Sequence, residues 1–122
     1  MESAFYTYIE IRPPRSGTGF DIGRLRNFLN ELEELQQEDG HNYKNTQDHP
    51  FLSVFLAYVN DYDRWSSLDV HETTTNFIII TGSKKDGIAP PASIITCRKI
   101  AQFMNWLLME ETDDGHQLIW SP

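Results

Sequence analysis

Several ingredients of common catalytic and metal sites are scarce in this chain. Cys97 is the only cysteine, which excludes both a disulfide within the chain and a zinc site built from cysteine pairs. The histidines His41, His49, His71 and His116 form none of the spacings that place two imidazoles on one metal ion. We therefore predict no catalytic residues, no metal ligands and no cofactor.

Basic residues are few as well. The chain carries 10 Lys and Arg against 18 Asp and Glu, which gives a net charge of −8. A general nucleic-acid binder needs a basic stripe that replaces the counterions on the phosphates. The sequence therefore predicts no direct contact with nucleic acid and favours a basic protein as the partner.

Long apolar runs are missing. The stretch Val54–Val59 is far shorter than the roughly 20 residues that a membrane-spanning helix needs. The first residues alternate between polar and aromatic side chains, which is not the pattern of a secretory signal peptide. These features, with the single cysteine, predict a cytoplasmic protein that makes no contact with a membrane.

The composition is that of one globular domain. Hydrophobic residues make up 39% of 122 residues, enough for a chain of this length to bury a core. We see neither an internal repeat nor a low-complexity segment, so the predicted domain spans residues 1–122.

Three segments have the pattern of β-strands. The segment Phe5–Ile11 alternates with a period of two and ends at Pro13-Pro14. Within Val70–Thr81, the apolar run Phe77–Ile80 is typical of a central strand that is buried on both faces. The segment His116–Trp120 is predicted as the last strand.

Two segments have the spacing of amphipathic helices. The first helix is predicted to begin after Asp21 as N-cap and to end at Gly40, with a stripe formed by Ile22, Leu25, Phe28, Leu29, Leu32 and Leu35. The second helix is predicted to begin after Thr96 as N-cap and to end at Asp113-Asp114-Gly115, with a stripe formed by Ile100, Phe103, Met104, Leu107 and Leu108.

The polar residues 41–49 are predicted to form a loop. The segment 51–59 fits either a buried strand or a helix that continues to Tyr62, and we prefer the strand. The predicted order is then βαββαβ, that of a ferredoxin-like sandwich in the α+β class, with two helices on a four-stranded antiparallel sheet. If the segment is helical, the prediction becomes another α+β fold, with a third helix at 50–62.

Acidic residues are clustered at 31–39, 61–69 and 110–114. The aromatic residues Tyr62 and Trp65 lie inside one of these clusters, and aromatic anchors surrounded by charge are typical of protein-binding hot spots. The predicted partner-binding residues are therefore drawn from the acidic and aromatic residues of the first two clusters: Glu33, Glu34, Glu38, Asp39, Asp61, Tyr62, Asp63 and Trp65.

Cys97 has two interpretations. It lies beside Arg98 and Lys99 at a predicted helix start, where the helix dipole and the cations would lower its pKa and make the thiol reactive. The other interpretation is a small buried apolar side chain.

The sequence favours a non-enzymatic, acidic protein-binding module. Its surface chemistry is that of an inhibitor or immunity protein, which neutralises a basic enzyme such as a nuclease toxin by presenting carboxylates where the enzyme expects phosphates. One alternative is a small ligand-binding or catalytic α+β domain. Another is a homo-oligomeric structural subunit joined through an open sheet face that carries Tyr6 and Tyr8. Both a monomer and a homodimer are compatible with the sequence.

Overall fold

The fold is built on one large antiparallel sheet. The structure, a computed structural model, describes residues 5–15, 18–60 and 69–122. The strands within these ranges are β1 (Tyr6–Arg12), β2 (Phe20–Asp21), β3 (Leu35–Gln37), β4 (Asn42–Asn45), β5 (Leu52–Ala57), β6 (Thr74–Thr75), β7 (Phe77–Ser83), β8 (Leu107–Thr112) and β9 (Gly115–Trp120). The helices are α1 (Ile22–Glu31) and α2 (Pro91–Met104).

Seven strands form the large sheet in the order β3-β4-β5-β7-β1-β8-β9, and each neighbouring pair is antiparallel. The strands β2 and β6 form a separate short ladder. The chain is therefore α+β, as predicted, but the expectation of a four-stranded ferredoxin-like sheet is wrong. Strands β3, β4 and β8 account for the difference, because the sequence pattern assigned them to helices or to a loop.

Both helices pack on the same face of the sheet. Their buried side chains, which include Leu25, Leu29, Ile100 and Met104, share one core with alternate residues of the central strands: Ile9, Ile11, Leu52, Val54, Leu56, Ile78, Ile80 and Leu108. Because side chains alternate along a strand, the residues between them lie on the opposite face. That face has a smaller apolar cluster around Ala57, Val59 and Phe77.

The first helix begins as predicted but ends early. The side chain of Asp21 accepts a hydrogen bond from the backbone N–H of Arg24 at 2.8 Å, which caps the first turn. The backbone leaves the helical conformation at Leu32, eight residues before the predicted end at Gly40, and Leu35 reaches the same core from β3. The periodicity continued through this break because Leu35 is buried in either conformation.

The second helix begins and ends earlier than predicted. It starts at Pro91, whose ring suits the first turn, so the assignment of Thr96 as its cap is wrong. It ends where Asn105 adopts a left-handed conformation, with φ 61° and ψ 41°. Leu107 and Leu108 therefore belong to β8, although their spacing continues the helical stripe.

Other strand predictions are confirmed. β1 and β9 lie where strands were predicted, and β7 is the central strand expected around Phe77–Ile80. The segment 51–59 contains β5, so a third helix at 50–62 is wrong for its described part, which ends at residue 60. The polar segment expected to be a loop at 41–49 contains β4.

Candidate protein-binding surface

The predicted acidic residues of the first cluster lie at opposite ends of the β3–β4 hairpin. Glu38 and Asp39 are exposed at its turn. Glu33 is exposed at the other end, where its backbone carbonyl accepts a hydrogen bond from Thr46 Oγ1 at 2.8 Å. The remaining predicted anchors and charges, Asp61, Tyr62, Asp63 and Trp65, lie outside the described residues.

The hairpin turn is held by the carboxylate of Asp39. Its Oδ1 accepts from the backbone N–H of His41 at 2.8 Å and from Asn42 Nδ2 at 3.0 Å. These bonds, the first of them the strongest, lower the pKa of Asp39 below its usual value, so this carboxylate stays charged at neutral pH. Arg26 of α1 braces the same turn, since its Nε donates to the Gly40 carbonyl at 2.7 Å.

A second acidic segment lies beside this turn. His41 Nε2 is 2.9 Å from the carbonyl oxygen of His71, a hydrogen bond between residues 30 positions apart in sequence. The exposed carboxylates of Asp69 and Glu72 lie within two residues of His71. We call the exposed carboxylates on these two joined segments, Glu38, Asp39, Asp69 and Glu72, the acidic corner.

The second segment is itself anchored to the sheet. Tyr58 and Asp69 exchange backbone hydrogen bonds of 2.8 and 3.0 Å, directly after β5. The ring of Tyr58 lies 5.2 Å from the ring of His71, centroid to centroid. The acidic corner is therefore supported from two sides, by the hairpin and by the end of β5.

Glu34 is not part of this surface. It is 7% exposed, and its Oε2 accepts from Lys99 Nζ at 2.8 Å and from Thr96 Oγ1 at 3.1 Å. Burial alone would raise its pKa, but the hydrogen bonds, above all that from Lys99, outweigh burial and lower it. The carboxylate of Glu34 thus ties the start of β3 to α2.

A second carboxylate is buried on the face of the sheet opposite the helices. Glu10 in β1 is 2% exposed, and its Oε2 lies 3.2 Å from Nε2 of His116 in β9, within ion-pair distance but without hydrogen-bond alignment. Burial raises its pKa, and the attraction of His116 and Arg12 offsets this only in part. This pair brings a carboxylate and an imidazole together, but the carboxylate is covered.

Three further candidate side chains, Cys97, Tyr43 and Trp106, are buried and are therefore not available at the surface. Cys97 lies inside α2, away from its first turn, and burial raises the pKa of its thiol to about 12. The reactive interpretation of this cysteine rested on a helix start that does not exist there. Tyr43 and Trp106 are buried in the main core, so neither supplies an exposed aromatic anchor.

The pockets on the described surface are open to solvent. The one between the end of α2 and the segment after β1 has a volume of about 320 Å³ and is lined by Pro14, Arg15, Thr18, Met104, Asn105 and Trp106. These side chains supply no nucleophile with an adjacent base. Within the described ranges, no three His, Cys, Asp or Glu residues are grouped to hold a metal ion, and neither helix is long and apolar enough to cross a membrane.

Comparison with known proteins gives no information on the function of this chain. Neither a protein-family model, nor a curated protein, nor a solved structure matches this chain. Sequence reasoning selected Glu38 and Asp39 but missed Glu72, because the contact that joins the two acidic segments is long-range and leaves no local pattern.

Proposed function

We propose that the protein is an acidic binding module that neutralises a basic partner enzyme, such as a nuclease toxin, by covering its active site. The observation that carries this proposal is the hydrogen bond between His41 and the His71 carbonyl, which joins two acidic segments into one surface. Charges that are distant in the sequence thereby act on the same partner.

Anchoring favours binding because less freedom is lost when the complex forms. The Asp39 carboxylate already accepts two hydrogen bonds in its turn, and Asp69 is held to Tyr58 through the backbone. Groups positioned before the encounter lose less conformational entropy on association than those on free loops. The acidic corner therefore presents its charge at a lower entropic cost.

The acidic corner would compete with the phosphates of the enzyme's substrate for the same cations. An enzyme that binds nucleic acid lines its active site with cations that meet phosphates. Carboxylates at the acidic corner would offer those cations an alternative partner, and the net charge of −8 would steer the encounter over a longer range. Such a complex forms rapidly at low salt and weakens as salt screens the field.

The test is capture of the partner by wild-type and charge-reversed protein. One variant carries Glu38→Lys and Glu72→Lys in the acidic corner, and a control variant with the same net charge carries Glu31→Lys and Asp48→Lys at exposed positions elsewhere. Each protein is immobilised, incubated with lysate of the native host at low and high salt, and the bound proteins are identified by mass. The captured enzyme is then assayed with and without stoichiometric wild-type protein.

We expect one basic enzyme that binds the wild type and the control, is released at high salt, and loses activity in the complex. The acidic-corner variant should bind it at least roughly tenfold more weakly. Equal loss in both variants would mean that only net charge matters, which contradicts a defined surface. A captured enzyme that keeps its full activity would refute the inhibitory role.

A further inference from the structure

Strand β9 forms one edge of the large sheet. It pairs with β8 from Gly115 to Trp120, and no backbone group among residues 5–15, 18–60 and 69–122 bonds to its other edge. The residues 115–118 are exposed, with Leu118 at 53%. A row of backbone donors and acceptors therefore faces outward along the regular part of the strand.

The composition of β9 lacks the usual protection of an exposed edge. Edge strands are commonly guarded by charged residues, especially lysine, by proline, by bulges or by shortness. The strand Gly-His-Gln-Leu-Ile-Trp contains no Lys, Arg, Asp, Glu or Pro. A register shift at Ile119 is its one irregularity, and it leaves the ladder at 115–118 regular.

We propose that β9 is a strand-pairing surface for a second copy of this chain, joined antiparallel about a two-fold axis. In the register centred on Leu118, this side chain meets its own copy and His116 lies opposite Trp120, so no opposed pair contains Asp, Glu, Lys or Arg. The two seven-stranded sheets then form one continuous sheet with all helices on the same face. This inference does not depend on the proposed inhibitory function.

The distribution of charge favours a second copy of this chain as the partner of β9, and it favours antiparallel pairing. Two chains of net charge −8 repel each other across most of their surface, so they approach best where a strand carries no charge. Asp113 and Asp114 immediately precede β9. Antiparallel pairing about Leu118 separates the two copies of Asp114 by about 27 Å along the strands, whereas parallel pairing would bring like charges together.

A matched pair of lysine substitutions tests the surface. Leu118→Lys places a charge on β9, and Ile95→Lys places the same charge at an equally exposed position (55%) on α2. Wild type and both variants are compared by sedimentation equilibrium over a concentration series, with thermal unfolding as the check of folding. We expect a dimer for wild type and Ile95→Lys, and a dissociation constant at least roughly tenfold higher for Leu118→Lys.

Disulfide trapping supplies a second measurement. Because Cys97 is buried, a cysteine introduced at Leu118 is the one accessible thiol in the described part of the chain. Leu118→Cys should form a covalent dimer under mild oxidation, because residues facing each other across the axis have the Cα separation that a disulfide needs. The control Ile95→Cys should stay monomeric under the same conditions.

Either of two results would overturn the proposal. One is a wild-type monomer at every concentration, which would leave the β9 edge to a strand from a different protein. The other is a dimer that neither Leu118→Lys weakens nor Leu118→Cys traps, which would place the contact on another surface.

Discussion

The two edges of the sheet differ in length, charge and attachment. Strand β3 has three residues, is flanked by Glu33 and Glu34 on one side and by Glu38 and Asp39 on the other, and is tied to α2 by the Glu34–Lys99 pair. Strand β9 has six residues, none of them Asp, Glu, Lys or Arg. The first edge is short and guarded by charge, whereas the second is long and neutral.

In our two proposals, this difference separates two kinds of association on one sheet. Charge near β3 repels another acidic chain and attracts a basic one, so we propose a basic partner for the acidic corner. A neutral edge offers backbone hydrogen bonds without repulsion, so β9 suits a second copy.

The same substitution on both edge strands should have very different costs. Leu35→Ala in β3 removes a side chain that is 5% exposed and packed in the main core, so we expect a loss of about 3 kcal/mol in the free energy of unfolding. Leu118→Ala in β9 removes an exposed side chain and should cost under about 0.5 kcal/mol. Urea unfolding of the two variants at a concentration where wild type is monomeric makes the comparison; similar losses would contradict the assigned burial.

We expect the Glu34–Lys99 pair, which links β3 to α2, to contribute less to the free energy of unfolding than the burial of Leu35. Glu34→Gln weakens the hydrogen bond and ion pair to Lys99, and because the lysine side chain is half exposed we expect a loss of about 1–2 kcal/mol at neutral pH. Glu33→Gln, at an exposed neighbouring position, is the control and should change little.

The Glu34 effect should also depend on pH. A lowered pKa means that the charged carboxylate stabilises the fold above the ordinary carboxyl value of 4.5, and that this contribution is lost as pH falls through the folded-state pKa. The difference between wild type and Glu34→Gln should therefore shrink in acid. A difference that stays constant down to pH 3 or so would contradict the role of the charge.

We expect the contribution of Glu10 to stability to depend on pH in the opposite direction to that of Glu34. Its raised pKa means that the protonated form stabilises the fold, fully below 4.5, and that this contribution is lost as pH rises through the folded-state pKa. Glu10→Gln keeps a neutral side chain at every pH, so it should raise stability at neutral pH by about 1 kcal/mol and change little in acid. Unfolding curves at several pH values test this; destabilisation at neutral pH would show that the pairing with His116 outweighs burial.

The smallest effect is expected at Tyr43, in the strand next to β3. Its hydroxyl is buried and has no hydrogen-bond partner within the described residues. Tyr43→Phe removes a polar atom that folding takes out of water, so stability should be unchanged or higher by up to about 1 kcal/mol. A clear loss would reveal a hydrogen bond to that hydroxyl.

Short-range patterns predicted some elements well. Alternation located β1, and the Asp21 cap located the start of α1, because these depend on neighbours within a few residues. The predicted ends of both helices were wrong because Leu35 and Leu108, which are buried, and Leu107, which is partly buried, lie on strands at positions that also continue a helical stripe. Periodicity detects burial there but does not distinguish the two backbones.

The candidate surface was predictable only in part. Local acidity selected Glu38 and Asp39, but it could not show that Glu34 is paired with Lys99, 65 positions away. Nor could it bring Glu72 next to the hairpin, because that placement depends on the His41–His71 contact. Both errors concern tertiary contacts, which composition and spacing do not encode.

The salt dependence of self-association tests the neutral edge most directly. The dissociation constant of the wild-type dimer is measured by sedimentation equilibrium at about 0.1 M and about 1 M salt, between which the screening length falls from about 10 to about 3 Å. Pairing through β9 predicts that the dimer holds or tightens, because salt screens the repulsion between two chains of net charge −8. A dimer that dissociates as salt rises would contradict this, because it would be held by ionic contacts to the acidic surface.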